Sequence, residues 1–81
     1  MKTVRISLNT VDLVKDFVSE VTRFDAGFDL VSGRYVIDGK SLMAIFSLNL
    51  SKPIDLNIHC DDEQIDEILE ALNPFMVKDI G

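Results

Sequence analysis

The chain has one cysteine, one histidine, four glycines, two prolines and no tryptophan. A single cysteine, Cys60, closes no intrachain disulfide, so the fold must stand without one. That usage fits a reducing cytosol. One cysteine and one histidine, Cys60 and His59, cannot complete a structural zinc site, and no metal or cofactor is implied. The sparse glycines form no phosphate-cradling loop, and no Ser-His-Asp set can be assembled. Cations are also few: 8 Lys+Arg stand against 14 Asp+Glu, a net charge of -6. Lys2, Arg5, Lys15, Arg23, Arg34, Lys40, Lys52 and Lys78 are scattered, with no two adjacent. A nucleic-acid or anionic-membrane binder needs clustered cations to displace counterions, so neither partner is expected. No segment approaches the ~20 apolar residues of a membrane span. The opening Met1–Ser7 has no apolar run of signal-peptide length. A soluble, cytoplasmic protein is the expectation.

What is present is a chain of 81 residues, 47% hydrophobic, expected to form one domain over residues 1–81. Val4, Ile6 and Leu8 alternate with Arg5 and Ser7 and predict a half-buried strand. Asn9-Thr10 offers helix N-caps, and Val11, Val14, Val18 and Val21 follow at helical spacing, widened by Leu13 and Phe17. This helix should end near Thr22 or Arg23. Phe28, Leu30 and Val31 predict a second strand, Ser32-Gly33 a hairpin turn and Tyr35-Val36-Ile37 the return strand. Ser41 is placed to cap a short helix over Leu42–Leu48, with Asn49 as the left-handed residue that ends it. Ile54, Leu56, Ile58 and Cys60 alternate with Asp55, Asn57 and His59, the clearest strand pattern in the chain. Asp61 with Gln64 reads as a capping box for a last helix with Ile65, Ile68, Leu69 and Leu72 on its apolar side. Asn73-Pro74 stops that helix, and Phe75, Met76 and Val77 are expected to fold back on the core. The order is β-α-β-β-α-β-α. It predicts an α+β open-faced sandwich: one four-stranded, mostly antiparallel sheet with its helices on one face.

This order resembles the HPr family, the small phosphocarriers of the bacterial sugar phosphotransferase system. The most specific segment is Gly39-Lys40-Ser41-Leu42-Met43, followed by Ser47-Leu48-Asn49-Leu50. It is similar to the family's Lys-Ser-hydrophobic-Met/Phe start of the second helix and the Ser-Leu-Gly-aliphatic run that ends it. Phe24-Asp25-Ala26 and the acidic Asp61-Asp62-Glu63 also match. The resemblance implies a carrier rather than an enzyme. It implies a regulatory phosphosite at Ser41, the serine modified by a dedicated kinase in many Gram-positive bacteria. It also implies an apolar partner-binding patch at Leu42, Met43 and Phe46. Since Leu42 and Ile45 cannot both be fully exposed on a packed helix, Met43 and Phe46 are expected to be the more exposed pair.

The departure lies at the phosphocarrier motif, Gly-hydrophobic-His-Ala-Arg-Pro in the family. Counting back from Lys40-Ser41, the histidine position falls at Thr10, the arginine position at Asp12 and the proline position at Leu13. The nitrogen nucleophile is missing and the anion-holding cation is an anion. The expected function is therefore a regulatory or docking protein of phosphotransferase-system ancestry. Its partners would be that system's enzymes, a serine kinase or a transcription regulator. The rival reading is a small dimerising or ligand-binding module unrelated to phosphotransfer, pairing through the solvent side of the sheet. A monomer or weak dimer suits both. Thr10 as a bare helix cap, Cys60 as a small core residue and the acidic last helix as a solvated face complete the residue-level reading.

Overall fold

The computed structural model of this chain describes residues 1–77. Lys78, the last of the scattered cations, lies outside them. Seven elements follow in order: β1 (Lys2–Ile6), α1 (Val11–Val21), β2 (Gly27–Ser32), β3 (Tyr35–Asp38), α2 (Leu42–Phe46), β4 (Ile54–His59) and α3 (Asp62–Leu72). A 3₁₀ turn over Asn73–Phe75 closes the described chain. The strands form one sheet in the order β1-β4-β2-β3, and each pairing is antiparallel.

The alternation in β4 has a direct structural result. Ile54, Leu56 and Ile58 are buried while His59 is exposed, so the strand divides its residues between two faces. Ile6, Phe28 and Leu30 from β1 and β2 join them beneath the helices. Helix α1 buries Val14, Phe17 and Val21, α2 buries Ile45, and α3 buries Ile68 and Leu72 in the same cluster. Phe75 folds back as the sequence predicts, meeting Phe17 edge-on at 5.7 Å between ring centroids. The opposite face carries Thr3, Arg5, Asp55, Asn57, His59 and Asp29, the open side of the sandwich.

Four details depart from the sequence expectations. The strand alternation read through Leu8 stops at Ile6, although Leu8 is buried. The reason lies opposite: Ile6 pairs with Ile54, next to Pro53, which has no N–H with which to extend the ladder. Ser7 instead donates its N–H to the Phe75 carbonyl at 2.8 Å. Helix α2 ends at Phe46, not Leu48, because the last turn tightens: Leu48 N–H bonds the Ile45 carbonyl and Ser47 Oγ bonds that of Ala44. Asn49 is not left-handed, since no described non-glycine residue has positive φ. Its side chain builds the turn, with Oδ1 accepting from Ser51 N at 3.2 Å and Ser51 Oγ at 2.6 Å. The Asp61–Gln64 capping box does not form either: Asp61 caps α3 without a side-chain hydrogen bond, and Gln64 N–H meets the Asp61 carbonyl instead. Exposed to solvent, the Asp61 carboxylate stays hydrated, and Asp62 and Glu63 meet the helix dipole in the first turn.

Among the described glycines, Gly39 makes the tightest backbone approach. Its N–H bonds the Phe28 carbonyl at 2.7 Å, and a Cβ there would lie 3.0 Å from Phe28 Cβ and 3.1 Å from that carbonyl oxygen. Both obstacles belong to a buried strand residue that cannot swing away. Gly39→Ala is expected to destabilise the fold by about 1–3 kcal/mol, read as a lower urea midpoint with an unchanged slope.

Candidate functional site

Two helix starts contain the residues singled out by sequence. At the first, Thr10 takes an extended conformation (φ -133°, ψ 157°) and its Oγ1 accepts from Leu13 N–H at 3.1 Å. It is the N-cap of α1, and its hydroxyl is used in that role. Asp12 is exposed in the first turn, where its charge meets the dipole and the free amide groups. Among the described residues, three cations are engaged elsewhere. Arg5 lies 3.4 Å from Asp55 on the open face, Arg23 lies 2.9 Å from Glu20 past the far end of α1, and Lys40 Nζ donates to the Phe24 carbonyl at 2.9 Å. None of these contacts brings a cation to Thr10.

At the second helix start, Ser41 caps α2, accepting from Ala44 N–H at 3.3 Å. The Asp38 carboxylate shapes the approach by accepting from Lys40 N–H at 3.0 Å. The ammonium of Lys40 is turned away, onto the Phe24 carbonyl and 5.7 Å from the Phe28 ring centroid. Sequence adjacency therefore does not make Lys40 an anion clamp for Ser41; its contacts tie the start of α2 to the loop after α1. No local pattern in the sequence foretells that bond, because it spans sixteen residues.

Along α2 the three patch residues divide. Leu42 is half-buried against the core, beside buried Ile45. Met43 is 81% exposed and Phe46 41% exposed, one turn apart on the outer side. The helix is seated on α1 and β3, so the pair is presented from a fixed base.

The remaining candidates lie apart from both helix starts. His59 is on the open face, its Nε2 2.9 Å from Asp29 Oδ2. This pairing across β4 and β2 follows from the strand register and was not legible from β4 alone. Cys60 is half-buried at the strand end and packs against the core. Among the described residues, no group of three His, Cys, Asp or Glu side chains is arranged to hold a metal ion. Likewise, no described helix is long and apolar enough to cross a membrane.

The architecture is that of an HPr-type open-faced sandwich. The crystal structure of HPr-C-His from Thermoanaerobacter tengcongensis superposes with a TM-score of 0.74 at 26% identity, over 91% of this chain and 89% of that one. The phosphocarrier protein HPr from Bacillus anthracis gives 0.69 at 26% identity, over 94% of each chain. At the sequence level, phosphocarrier protein HPr of Pseudomonas aeruginosa is 39% identical over 62 residues, 62% of this chain and 69% of that protein. The family model described as "PTS HPr component phosphorylation site" matches residues 11–78. The chain belongs to the HPr family, a family of phosphocarriers rather than enzymes. The matched span opens at Val11, directly after Thr10.

Proposed function

We propose that this chain, acting as one domain over residues 1–81, is a soluble cytoplasmic HPr-family protein that works by docking and does not carry phosphate on histidine. The observation that carries the reading is the α1 start. Thr10, which the resemblance places at the nucleophile position, spends its hydroxyl on the helix cap, and Asp12 occupies the place of the anion-holding cation. Among the described hydrogen bonds none joins that hydroxyl to a side-chain base, and an incoming phosphoryl group meets a like charge. Docking is supported by the exposed pair Met43 and Phe46, with Leu42 at the patch's inner margin. Aromatic and methionine side chains of this kind supply adaptable apolar contact area. The partners are proteins of the phosphotransferase system, a serine kinase or a transcription regulator.

Ser41 is the switch in this reading. A phosphate there adds about two negative charges at the α2 start, within one turn of Met43 and within two of Phe46. After incubation with ATP and host lysate, the intact protein is expected to gain the mass of one phosphoryl group. Ser41→Ala should stay unmodified. No mass gain in the parent chain would remove the switch while leaving the docking patch to be tested. In that second test Met43→Ala with Phe46→Ala is expected to weaken partner binding at least tenfold, about 1.4 kcal/mol, with the fold retained by circular dichroism.

A further inference from the structure

The two edges of the sheet are treated differently. On the β1 edge, Met76 bridges Ile6, Ser7 N–H reaches the Phe75 carbonyl and Val77 N–H reaches that of Arg5 at 2.9 Å. The C-terminal segment thus covers part of that edge. On the other edge, β3 has β2 on one side and no described strand on the other. The register tells which of its backbone groups are unused. Ser32 and Tyr35 face each other across the two-residue turn Gly33-Arg34, so they form the hydrogen-bonded pair that closes the hairpin. Alternation then turns Tyr35 and Ile37 toward β2, and turns the N–H and C=O of Val36 and the N–H of Asp38 outward, while the Asp38 carbonyl accepts from Ser41 N–H at 3.1 Å.

Edge strands in monomeric proteins are blunted by shortness, charged side chains, proline, a bulge or a covering element. Tyr35-Val36-Ile37-Asp38 is short and ends in a charge, but it has no proline, lysine or bulge. Tyr35 is 69% exposed and Val36 63% exposed. The segment Arg34–Asp38 is also complementary to itself when run antiparallel. Centred on Val36, it sets Val36 against Val36, Tyr35 against Ile37, and Arg34 against Asp38 twice over, once at each end. The charges therefore agree with the two-fold symmetry of a pair of copies.

We infer that the β3 edge is a self-association surface, joining two copies of this chain through antiparallel β3–β3 pairing about a two-fold axis at Val36. The paired sheets become one eight-stranded sheet. Val36 N–H and C=O bond their counterparts, Asp38 N–H meets the Arg34 carbonyl, and the Arg34 guanidinium meets the Asp38 carboxylate. On the helix side, the groove lined by Tyr35, Ile37, Ser47 and Leu48 receives Tyr35 of the second copy. The open face is a poorer place for a pair. Its Thr3–Asn57, Arg5–Asp55 and His59–Asp29 contacts already satisfy one another within one copy. The strand is only four residues long, so the contact is smaller than a standard interface and the association is weak.

Sedimentation equilibrium from about 10 μM to about 1 mM tests this directly. The weight-average mass is expected to rise from 9.1 kDa toward twice that value. Over the same range, the amide signals of Val36 and Asp38 should shift while those of Leu30 on β2 stay fixed. Arg34→Asp alone and Asp38→Arg alone each set like charges opposite one another and should stay monomeric. An equimolar mixture of the two should associate again, because every facing pair is then opposite in charge. Asp38→Asn keeps the oxygen that accepts from Lys40 N–H, so it serves as the check on folding, and it should weaken association at least fivefold. A constant 9.1 kDa across the whole range overturns the inference. So does association unchanged in the single charge variants, which would place the contact on another surface, or failure of the mixture to associate.

Discussion

Incubated with phosphoenolpyruvate and the general phosphotransferase enzyme, the chain is expected to keep its unmodified mass, whereas the double variant Thr10→His, Asp12→Arg should gain one phosphoryl group. The expectation rests on two separable defects at one helix start. The first is the acceptor. Thr10 Oγ1 is a hydrogen-bond acceptor for Leu13 N–H, and a hydroxyl with no adjacent base is a poor nucleophile at neutral pH. Replacing it with histidine supplies a nitrogen nucleophile but removes a cap worth ~1 kcal/mol. The second defect is charge. Asp12 sits in the first turn of α1, where the backbone amides and the dipole favour an anion. Its own carboxylate already occupies that field. Exchanging it for arginine changes a repulsion into an attraction. At the bulk-water dielectric, as suits an exposed side chain, and about 4 Å this swing is about 2 kcal/mol, roughly thirtyfold in rate. Thr10→His alone should therefore be phosphorylated much more slowly than the double variant. Phosphorylation of the parent chain would refute the proposed loss of carrier function. Failure of the double variant, with its fold intact by circular dichroism, would show that the docking surface for the donor enzyme is absent too.

The second large effect concerns the core. Phe17→Ala is expected to lose about 3–5 kcal/mol of stability. Phe17 is fully buried and lies at 89° to Phe75, so its removal leaves a cavity between α1 and the turn that returns from α3. At ~0.05–0.15 kcal/mol per residue, a domain of this size has a total stability of about 4–12 kcal/mol. The variant should be partly unfolded at 37 °C and fully visible in a urea titration at low temperature. A double-mutant cycle with Phe75→Ala isolates the ring pair, for which a coupling of about 0.5–1.5 kcal/mol is expected. A loss below 1 kcal/mol for Phe17→Ala would mean that the core collapses around the gap.

The fold was legible where one physical signal acts alone. The period-two pattern that begins at Ile54 reaches the structure as far as His59, with Cys60 just outside the strand, and the α1 stripe holds at Val14, Phe17 and Val21 while Val11 is exposed at the helix start, because burial decides both. The places that were misread are those where a distant group competes with the local pattern. Leu8 keeps its apolar role but leaves the strand because Pro53, far along the chain, ends the ladder. Asn49 has the residue type of a left-handed cap, yet its amide oxygen finds Ser51 and the backbone stays on the ordinary side. At the site, the identities at Thr10 and Asp12 and the helix starts they occupy could be read from sequence. The diversion of Lys40 to the Phe24 carbonyl could not, nor could the pairing of His59 with Asp29, since each is set by which strands and loops become neighbours. The split within Leu42, Met43 and Phe46 follows from helical geometry once Ile45 is known to point inward.

The position of β4 governs when the chain can fold during its synthesis. It is the last strand to emerge, yet it lies between β1 and β2 and pairs with both. Thr3, for example, must wait for Asn57, 54 residues later. Until Ile54–His59 leaves the ribosome, β1 has no neighbour and the β2–β3 hairpin presents Phe28 and Leu30 to water. The nascent chain thus carries two apolar strand fragments with α1 between them, while the strand that joins them is still missing. The sheet is therefore completed only after β4 has emerged, so a chain cut short before residue 54 is a substrate for chaperones and proteases rather than a smaller working domain.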